Sequence, residues 1–345
     1  MTDENIEEGI RLVEAEAEPE ETVWENTLRP KFLGDFVGQE NIKQNLNIAM
    51  AAAKKRTEPL EHILLYGNPG LGKTTLAHII SREMGANIKV TSGPALEKVG
   101  DIAAILSNLQ ATDVLFIDEI HRLNKTIAEV LYPALEDYAL DIVIGQGPSA
   151  RTIRVPLAPF TLIGATTKIS SIPGPLRDRF GHVFHLNYYE PTDIETIIQR
   201  NASKLGVAVD PEAATLIAAR ARRTPRIANR LLKRARDYSE VGAGAGTINK
   251  KLAGEALSLL AIDEYGLDET DRKLLTVLIE RFKGGPAGLN TLAAAVAEEM
   301  DTIETVYEPF LIQLGFLERT PRGRCATSLA YKHLGFDPPT TPSLL

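Results

Sequence analysis

The run Gly67-Asn68-Pro69-Gly70-Leu71-Gly72-Lys73-Thr74 fits the pattern G-x-x-x-x-G-K-[ST]. It follows an apolar run, Ile63–Tyr66, and opens an amphipathic stretch, Lys73–Met84. A strand, a glycine-rich turn and a helix in that order are what a P-loop requires. The glycines let backbone N–H groups curl around phosphates, and the helix N-terminus adds a favourable dipole. Lys73 is placed to reach the β- and γ-phosphates, and the Thr74 hydroxyl to sit on Mg²⁺. The chemistry expected is therefore binding of ATP with Mg²⁺.

Forty-odd residues on, Val114-Leu115-Phe116-Ile117-Asp118-Glu119 places two acids at the end of an apolar strand. In open α/β sheets ligands bind at that edge. Asp118 is expected to hold the metal, and Glu119 to orient and polarise an attacking water as a general base. Standing alone, the pair would read equally well as two acids facing solvent. Ile163-Gly164-Ala165-Thr166-Thr167 ends a further apolar strand in hydroxyls able to meet a γ-phosphate or the attacking water. Pro175-Leu176-Arg177-Asp178-Arg179-Phe180 carries two arginines at a helix end, either surface charge or a finger for a neighbouring subunit's nucleotide. Arg220–Arg236 holds eight bases and no acid. It reads as a solvated face or as a helix that meets phosphates. Arg319, Arg322 and Arg324 lie on a turn-rich segment that reads either as an ordinary polar loop or as a surface for DNA phosphates or a minor groove.

Elements must hold these groups in place. Residues 26–188 alternate strand-like runs (Ile63–Tyr66, Asn87–Thr91, Val114–Ile117, Thr161–Ala165) with amphipathic stretches (Lys73–Met84, Ile102–Leu109, Thr126–Leu135). That alternation predicts an α/β domain with a doubly wound parallel sheet. Between the third and fourth strands, Leu140–Gly147 and Arg151–Val155 flank a turn and predict an inserted hairpin near 140–155. Residues 189–261 read as entirely helical, with starts at Pro191-Thr192-Asp193 and Asp210-Pro211-Glu212 and a break at Gly242–Gly246. Residues 262–345 read as helices Asp268–Phe282, Asn290–Glu299 and Asp301–Leu314, the last opened by a capping box of Asp301 and Glu304. Two strand-like runs come next, Phe316–Arg319 and Cys325–Ser328, and the whole spells a winged helix.

Composition sets outer bounds. The chain has 345 residues, of which 44% are hydrophobic and 24% charged, as in a folded globular protein rather than a disordered or collagen-like one. Its one cysteine excludes a disulfide framework or a multi-cysteine zinc site and points to a reduced, cytoplasmic setting. No run is long and apolar enough to predict a membrane span, and no secretory signal pattern opens the chain. The formal charge is −8, but residues 1–25 alone carry −9. The remainder is at +1, so acidity does not argue against a nucleic-acid partner. The acidic leader itself reads as solvated and disordered.

The order of P-loop, Asp-Glu strand, Gly-Ala-Thr-Thr, Pro-Leu-Arg-Asp-Arg-Phe-Gly and Thr-Pro-Arg-Ile-Ala-Asn-Arg resembles that of AAA+ ATPases. From about Leu28 to His333 the chain resembles the RuvB family of Holliday junction branch migration ATPases. Leu28-Arg29-Pro30-Lys31, Phe36-Val37-Gly38-Gln39-Glu40 and the stretch Tyr307–Thr327 carry that likeness most specifically. The resemblance implies an ATPase or ATP-dependent DNA helicase working as a homohexameric ring with a RuvA tetramer, a RuvC resolvase and Holliday junction DNA. It implies that Leu28, Arg29 and Tyr189 line the adenine and ribose, and that Gly70, Gly72, Lys73, Thr74 and Thr75 hold the phosphates. Glu136, Asp137 and Tyr138 match a further nucleotide-contacting stretch. Thr167 takes the sensor-1 position, Arg179 the arginine finger acting across a subunit boundary, and Arg226 sensor 2 on its own subunit's nucleotide. Arg319 and Arg324 match DNA contacts of the wing, and the hairpin matches the segment that docks on RuvA. Asn68 departs from the family's usual Pro, and Met300 from a frequent Arg. Two other occupations stay open on the residues alone: a clamp-loader or initiator ATPase, and a winged-helix regulator that only senses nucleotide.

Overall fold

The computed structural model describes residues 27–144, 151–241 and 246–338. The chain divides into two compact units. One comprises Arg29–Gly67 with Leu71–Asn187. The other comprises Asn68–Gly70, Leu28 and the chain from Tyr188 onward.

The first unit is a five-stranded parallel sheet with helical crossovers. Its strands are β1 (Ile63–Tyr66), β2 (Ile88–Ser92), β3 (Val114–Asp118), β6 (Thr161–Thr166) and β7 (His182–His185), in the order β2-β3-β6-β1-β7. β6 is buried along its whole length, and β1 and β3 along all but their last residue, as strands covered on both faces must be. β2 and β7 form the edges and are more exposed. Sequence reading passes over β7 because His182-Val183-Phe184-His185 carries the weak pattern of a strand covered on one face. It also passes over α1 (Glu40–Arg56), although Ile42, Leu46, Met50 and Ala53 form a legible buried stripe at helical spacing. The other helices are α2 (Lys73–Met84), α3 (Val99–Ser107), α4 (Lys125–Glu136) and the single turn α5 (Gly174–Arg177). The helix expected at Ile102–Leu109 starts three residues earlier, where Asp101 accepts from the Lys98 N–H at 2.8 Å. The inserted hairpin pairs β4 (Ala139–Ile144) with β5 (Arg151–Pro156), antiparallel and in the expected place. Its connecting turn lies outside the described residues.

In the second unit, helices α6 (Pro191–Lys204), α7 (Pro211–Arg220) and α8 (Pro225–Val241) each begin on a proline, whose missing N–H costs nothing there. The helix α9 (Lys250–Leu259) is capped by Asn249, whose side chain accepts from Leu252 N–H at 3.0 Å. This domain is not entirely helical. Two-residue strands β8 (Ala208–Val209) and β9 (Thr247–Ile248) pair in parallel, and Asp210 N–H donates to Ile248 O at 3.0 Å. The segments leading into α7 and α9 satisfy each other's backbone groups, a need that helical periodicity does not reveal. The glycine break at Gly242–Gly246 falls almost wholly outside the described residues.

The winged helix continues the chain with α10 (Glu269–Glu280) and α11 (Leu289–Val296). Asp268 and Asp271 close a capping box on α10, at 2.9 and 3.0 Å. The third helix departs from expectation. It comprises α12 (Met300–Thr302), a π-helical stretch Ile303–Tyr307 and α13 (Glu308–Gln313). Its N-cap is Glu299, so Asp301 and Glu304 form no capping box. Pro309 has no N–H for the Thr305 carbonyl, and the ladder widens just before it. The strands of the wing, β10 (Leu317–Thr320) and β11 (Gly323–Ala326), are shifted from the expected runs. Thr327 caps a short final helix α14 (Ser328–His333), which removes Ser328 from the second strand.

His62 locks the sheet to α4. Leu162 N–H donates to its Nδ1 at 2.9 Å, and its Nε2–H donates to Leu135 O at 3.0 Å. The ring is thereby fixed as the neutral Nε2–H tautomer, and burial lowers its pKa. A lowered histidine pKa contributes stability that is present above the unfolded value, about 6.5, and is lost as pH falls below it. His62→Leu leaves two buried backbone groups unpaired and is expected to cost about 1–3 kcal/mol for each. Denaturant titration checks this, and His62→Gln should flatten the acid-side loss of stability.

Candidate active site

Three strand ends meet in the order β1, β6, β3, so the loop leaving β6 starts between the loops leaving the other two. After β1 the chain turns through Gly67, whose N–H donates to Thr166 O at 3.2 Å. Gly67, Gly70 and Gly72 have φ of 144°, 76° and 98°. A side chain at Gly67 would place its Cβ 2.6 Å from Leu186 O, so only glycine fits this close approach. Lys73 is buried at the first position of α2, and its Nζ donates to Gly67 O at 2.8 Å, across the base of the loop. Thr74 and Thr75 come next in the first turn. The N-cap is Gly72, with no side chain to take the helix's first N–H groups.

After β3 the acids are held by close contacts. Asp118 Oδ1 accepts from Glu119 N–H at 2.9 Å, and Thr74 Oγ1 donates to Asp118 Oδ2 at 3.4 Å. Glu119 has φ of 49°, which turns the chain sharply after the strand. Its Oε2 accepts from Thr167 Oγ1 at 3.4 Å and lies 3.3 Å from His121 Nδ1. Burial, then the charge of Asp118, raise the Glu119 carboxyl above the ordinary range, while Lys73 and the Thr167 hydroxyl pull it down. Sequence reading does not single out two neighbours of these acids. Gly93 N–H donates to Asp118 O at 2.7 Å, and a side chain there would collide with the Glu119 carbonyl. His121 also meets Thr166 Oγ1 at 2.9 Å, joining the end of β6 to the acids. Its place two residues after Glu119 is the signal the sequence offers for it.

Arg179 stands in a separate group. Its guanidinium lies over the Tyr132 ring at 4.6 Å, reaches Glu136 Oε1 at 3.0 Å and donates to Pro175 O. Asp137 pairs with Arg154 of the hairpin. Tyr138 packs edge-on against Phe160 at 5.9 Å. Of Glu136-Asp137-Tyr138 only Glu136 is brought to Arg179, and none of the three is shown at the acids.

In the second unit, the tip of the phosphate loop packs with the helical domain. Asn68 Nδ2 donates to the Tyr188 hydroxyl. A Cβ on Gly70 would lie 2.9 Å from that of Arg226, in the first turn of α8. Tyr189 is buried, and it exchanges two bonds with Arg223: its N–H donates to Arg223 O at 3.0 Å, and its carbonyl accepts from Arg223 Nε at 2.8 Å. Leu28 is buried, and its carbonyl accepts from Lys204 Nζ at 2.9 Å. Arg29 belongs to the first unit, where burial and then its charge lower the pKa of His78. The basic run is not one solvated face, because Arg222 and Arg230 are buried. In the wing, Arg319 is exposed, with Glu304 at 3.4 Å. Arg324 is buried, and its Nη2 donates to the buried Glu308 at 2.8 Å. Met300 is half-exposed in the first turn of α12.

These residues suit a nucleoside triphosphate with a divalent cation. At Gly67 and at Gly70 a side chain would collide with Leu186 and with Arg226 respectively, so the backbone there is left bare. Thr74 and Asp118 offer two hard oxygen donors side by side, the minimal protein share of a Mg²⁺ site completed by phosphates and water. Among the described residues no group of three or more His, Cys, Asp or Glu could hold a metal by itself. None of their helices is long and apolar enough to cross a membrane.

Comparison with known proteins covers nearly the whole chain. Residues 28–186 match the family described as the Holliday junction DNA helicase RuvB P-loop domain, 189–263 the RuvB AAA lid domain, and 264–335 the RuvB C-terminal winged helix domain. The Holliday junction branch migration complex subunit RuvB of Chloroflexus aggregans is 58% identical over 325 residues, 94% of this chain and 93% of that protein. The corresponding subunit of Dehalococcoides mccartyi is 56% identical over 328 residues, 95% of this chain and 94% of its own. Among solved structures, the Thermotoga maritima RuvB Holliday junction branch migration motor is 52% identical with a TM-score of 0.84, covering 91% of this chain and 100% of that one.

Removing the Thr167 donor should leave the Glu119 carboxylate poorly oriented. Thr167→Val is expected to lower kcat for ATP hydrolysis about tenfold or more, with KM little changed. Losing a hydrogen bond to the carboxylate raises its pKa further, so the acid limb of the pH–rate profile should move to higher pH. A profile that keeps its position would show that Thr167 does not act on Glu119.

Proposed function

The chain belongs to the RuvB family, and from that premise we propose that it is the ATP-driven motor subunit that, with RuvA, moves Holliday junctions by drawing duplex DNA through a homohexameric ring. RuvC is its partner at resolution, and the cytoplasm its compartment. The observation that carries the reading is the convergence of Lys73 and Thr74, Thr167, and Asp118 and Glu119 at three adjacent strand ends. Nothing in the site favours a clamp-loader or a nucleotide-sensing regulator.

The site's residues divide the work. Backbone N–H groups of the loop and of the first turn of α2 take the phosphates, with Gly70, Gly72, Lys73, Thr74 and Thr75 around them. Leu28, Arg29 and Tyr189 serve the adenine and ribose. Thr74 and Asp118 would hold Mg²⁺, which when bound neutralises phosphate charge. Glu119 takes the proton of the attacking water, and its raised pKa brings it nearer to operating pH, where a base transfers protons best. Thr167 orients that carboxylate. Arg226 senses the phosphates in its own subunit. Arg179 completes a neighbour's site, with Glu136 paired to it and Asp137 and Tyr138 serving the same nucleotide. Phosphate contacts suit a motor because they do not depend on base sequence. Arg319 is presented for them, whereas Arg324, its cross-strand partner on β11, is buried against Glu308 and not presented to phosphates. The β4–β5 hairpin serves RuvA.

A synthetic four-way junction mixed with the chain, RuvA, ATP and Mg²⁺ should resolve into two duplexes, and Glu119→Gln should abolish this. Hydrolysis without loss of the junction would leave an ATPase with another task. Arg179→Ala should lower hydrolysis by about 10³-fold or more. Mixing Arg179→Ala with Glu119→Gln subunits should restore part of it, because some interfaces then pair an intact base with an intact finger. No recovery on mixing would place the arginine in its own subunit's chemistry.

A further inference from the structure

The corner between α7 and α8 spans few residues, yet its arginines reach three different places in the second unit. Arg226 packs against Gly70 of the phosphate loop. Arg223 clasps Tyr189, whose neighbour Tyr188 receives a bond from Asn68 of the same loop. Arg222 turns the other way, into the winged helix. Its Nε donates to Gly266 O at 3.0 Å, and its Nη2 meets Asp268 at 2.9 Å and donates to Asp271. Its guanidinium also lies 4.9 Å from the centre of the Phe310 ring, on α13. Two residues before Phe310 on α13, Glu308 holds Arg324 and lies 3.8 Å from Arg319. Arg222 and Arg223 both have left-handed backbone, with φ of 51° and 55°. Consecutive non-glycine residues in that region are sparsely populated and persist only where the surroundings over-determine them.

We infer that this corner transmits the nucleotide state of the phosphate loop to the DNA-binding wing, and that Arg222 is its positioning residue. The inference rests on the reading of the chain as a DNA motor. Gly70 packs on Arg226, so a phosphate at the loop would act on Arg226, and four residues away the same corner holds the first and third helices of the winged domain. Arg222 is buried, with its guanidinium spent on Gly266, Asp268, Asp271 and Phe310. Its planar fork engages a carbonyl, two carboxylates and a ring together, which the point charge of lysine cannot do.

The test compares Arg222→Lys with wild type in the full chain, with RuvA and a four-way junction present. Hydrolysis without DNA should stay within about twofold and KM for ATP unchanged, while junctions migrated per ATP hydrolysed fall at least tenfold. Stimulation of hydrolysis by duplex DNA should disappear. A merely structural role would lower hydrolysis and migration together and leave their ratio intact. That result, or no change in either, overturns the inference. Should Arg222→Lys fail to fold, Asp268→Asn, which removes the less buried carboxylate, decides by the same ratio. If wild type migrates no junctions, the motor reading fails by itself, and the DNA stimulation of hydrolysis still decides here. A wild-type chain whose hydrolysis ignores DNA also overturns the inference, since nothing is then transmitted.

Discussion

A single backbone hydrogen bond, from Gly67 N–H to the carbonyl of Thr166, ties the start of the phosphate loop to the end of β6. Parallel pairing makes such a bond consequential. Because all five strands run the same way, their C-terminal ends share one edge, and each loop leaving it starts beside its neighbours. With β6 seated between β1 and β3, a hydroxyl after β6 must lie between the phosphate cradle and the acids. No long side chain is needed to bridge that gap. Catalytic geometry here is inherited from strand order, and the close approach of Gly93 to the Asp118-Glu119 peptide trims it locally.

Much of this is legible in the residues, for identifiable reasons. β1 is an uninterrupted apolar run and α2 an amphipathic stretch, with glycines between them, so both can be placed to the residue. The acids and hydroxyls stand out because they end uninterrupted apolar runs. Edge strand β7 and the paired strands β8 and β9 escape sequence reading because their backbone needs are met by neighbours distant in sequence. His62 cannot be read as the tie between β6 and α4, since a lone histidine before an apolar strand has no partner until the chain folds. The arginines show the limit most clearly. Composition counts Arg220–Arg236 as one basic stretch, while folding buries Arg222 against carboxylates and turns Arg226 to the phosphate loop.

Among the described residues, two buried arginine–carboxylate groups hold the winged domain: Arg222 of the lid with Asp268 and Asp271, and Arg324 with Glu308. Such groups stabilise little in net terms, because desolvation offsets the attraction, but losing one partner strands the other. Burial pushes the Asp271 carboxyl up against the pull of Arg222, with Asp268 adding to the rise. The return for this tension is orientation. An apolar plug could fill the same space, but it would not fix which face of the wing meets the corner and which meets solvent.

The π-helical stretch Ile303–Tyr307 gives the third helix of that domain a phase as well as a length. A regular α-helix advances about 100° per residue. One residue more or fewer before Glu308 would therefore leave the helix nearly as long but rotate everything after it by that angle. Glu308 and Phe310 would leave the faces on which they meet Arg324 and Arg222. The widened turn acts as a vernier, setting the azimuth of the wing against the rest of its unit in a step no side-chain substitution can reproduce.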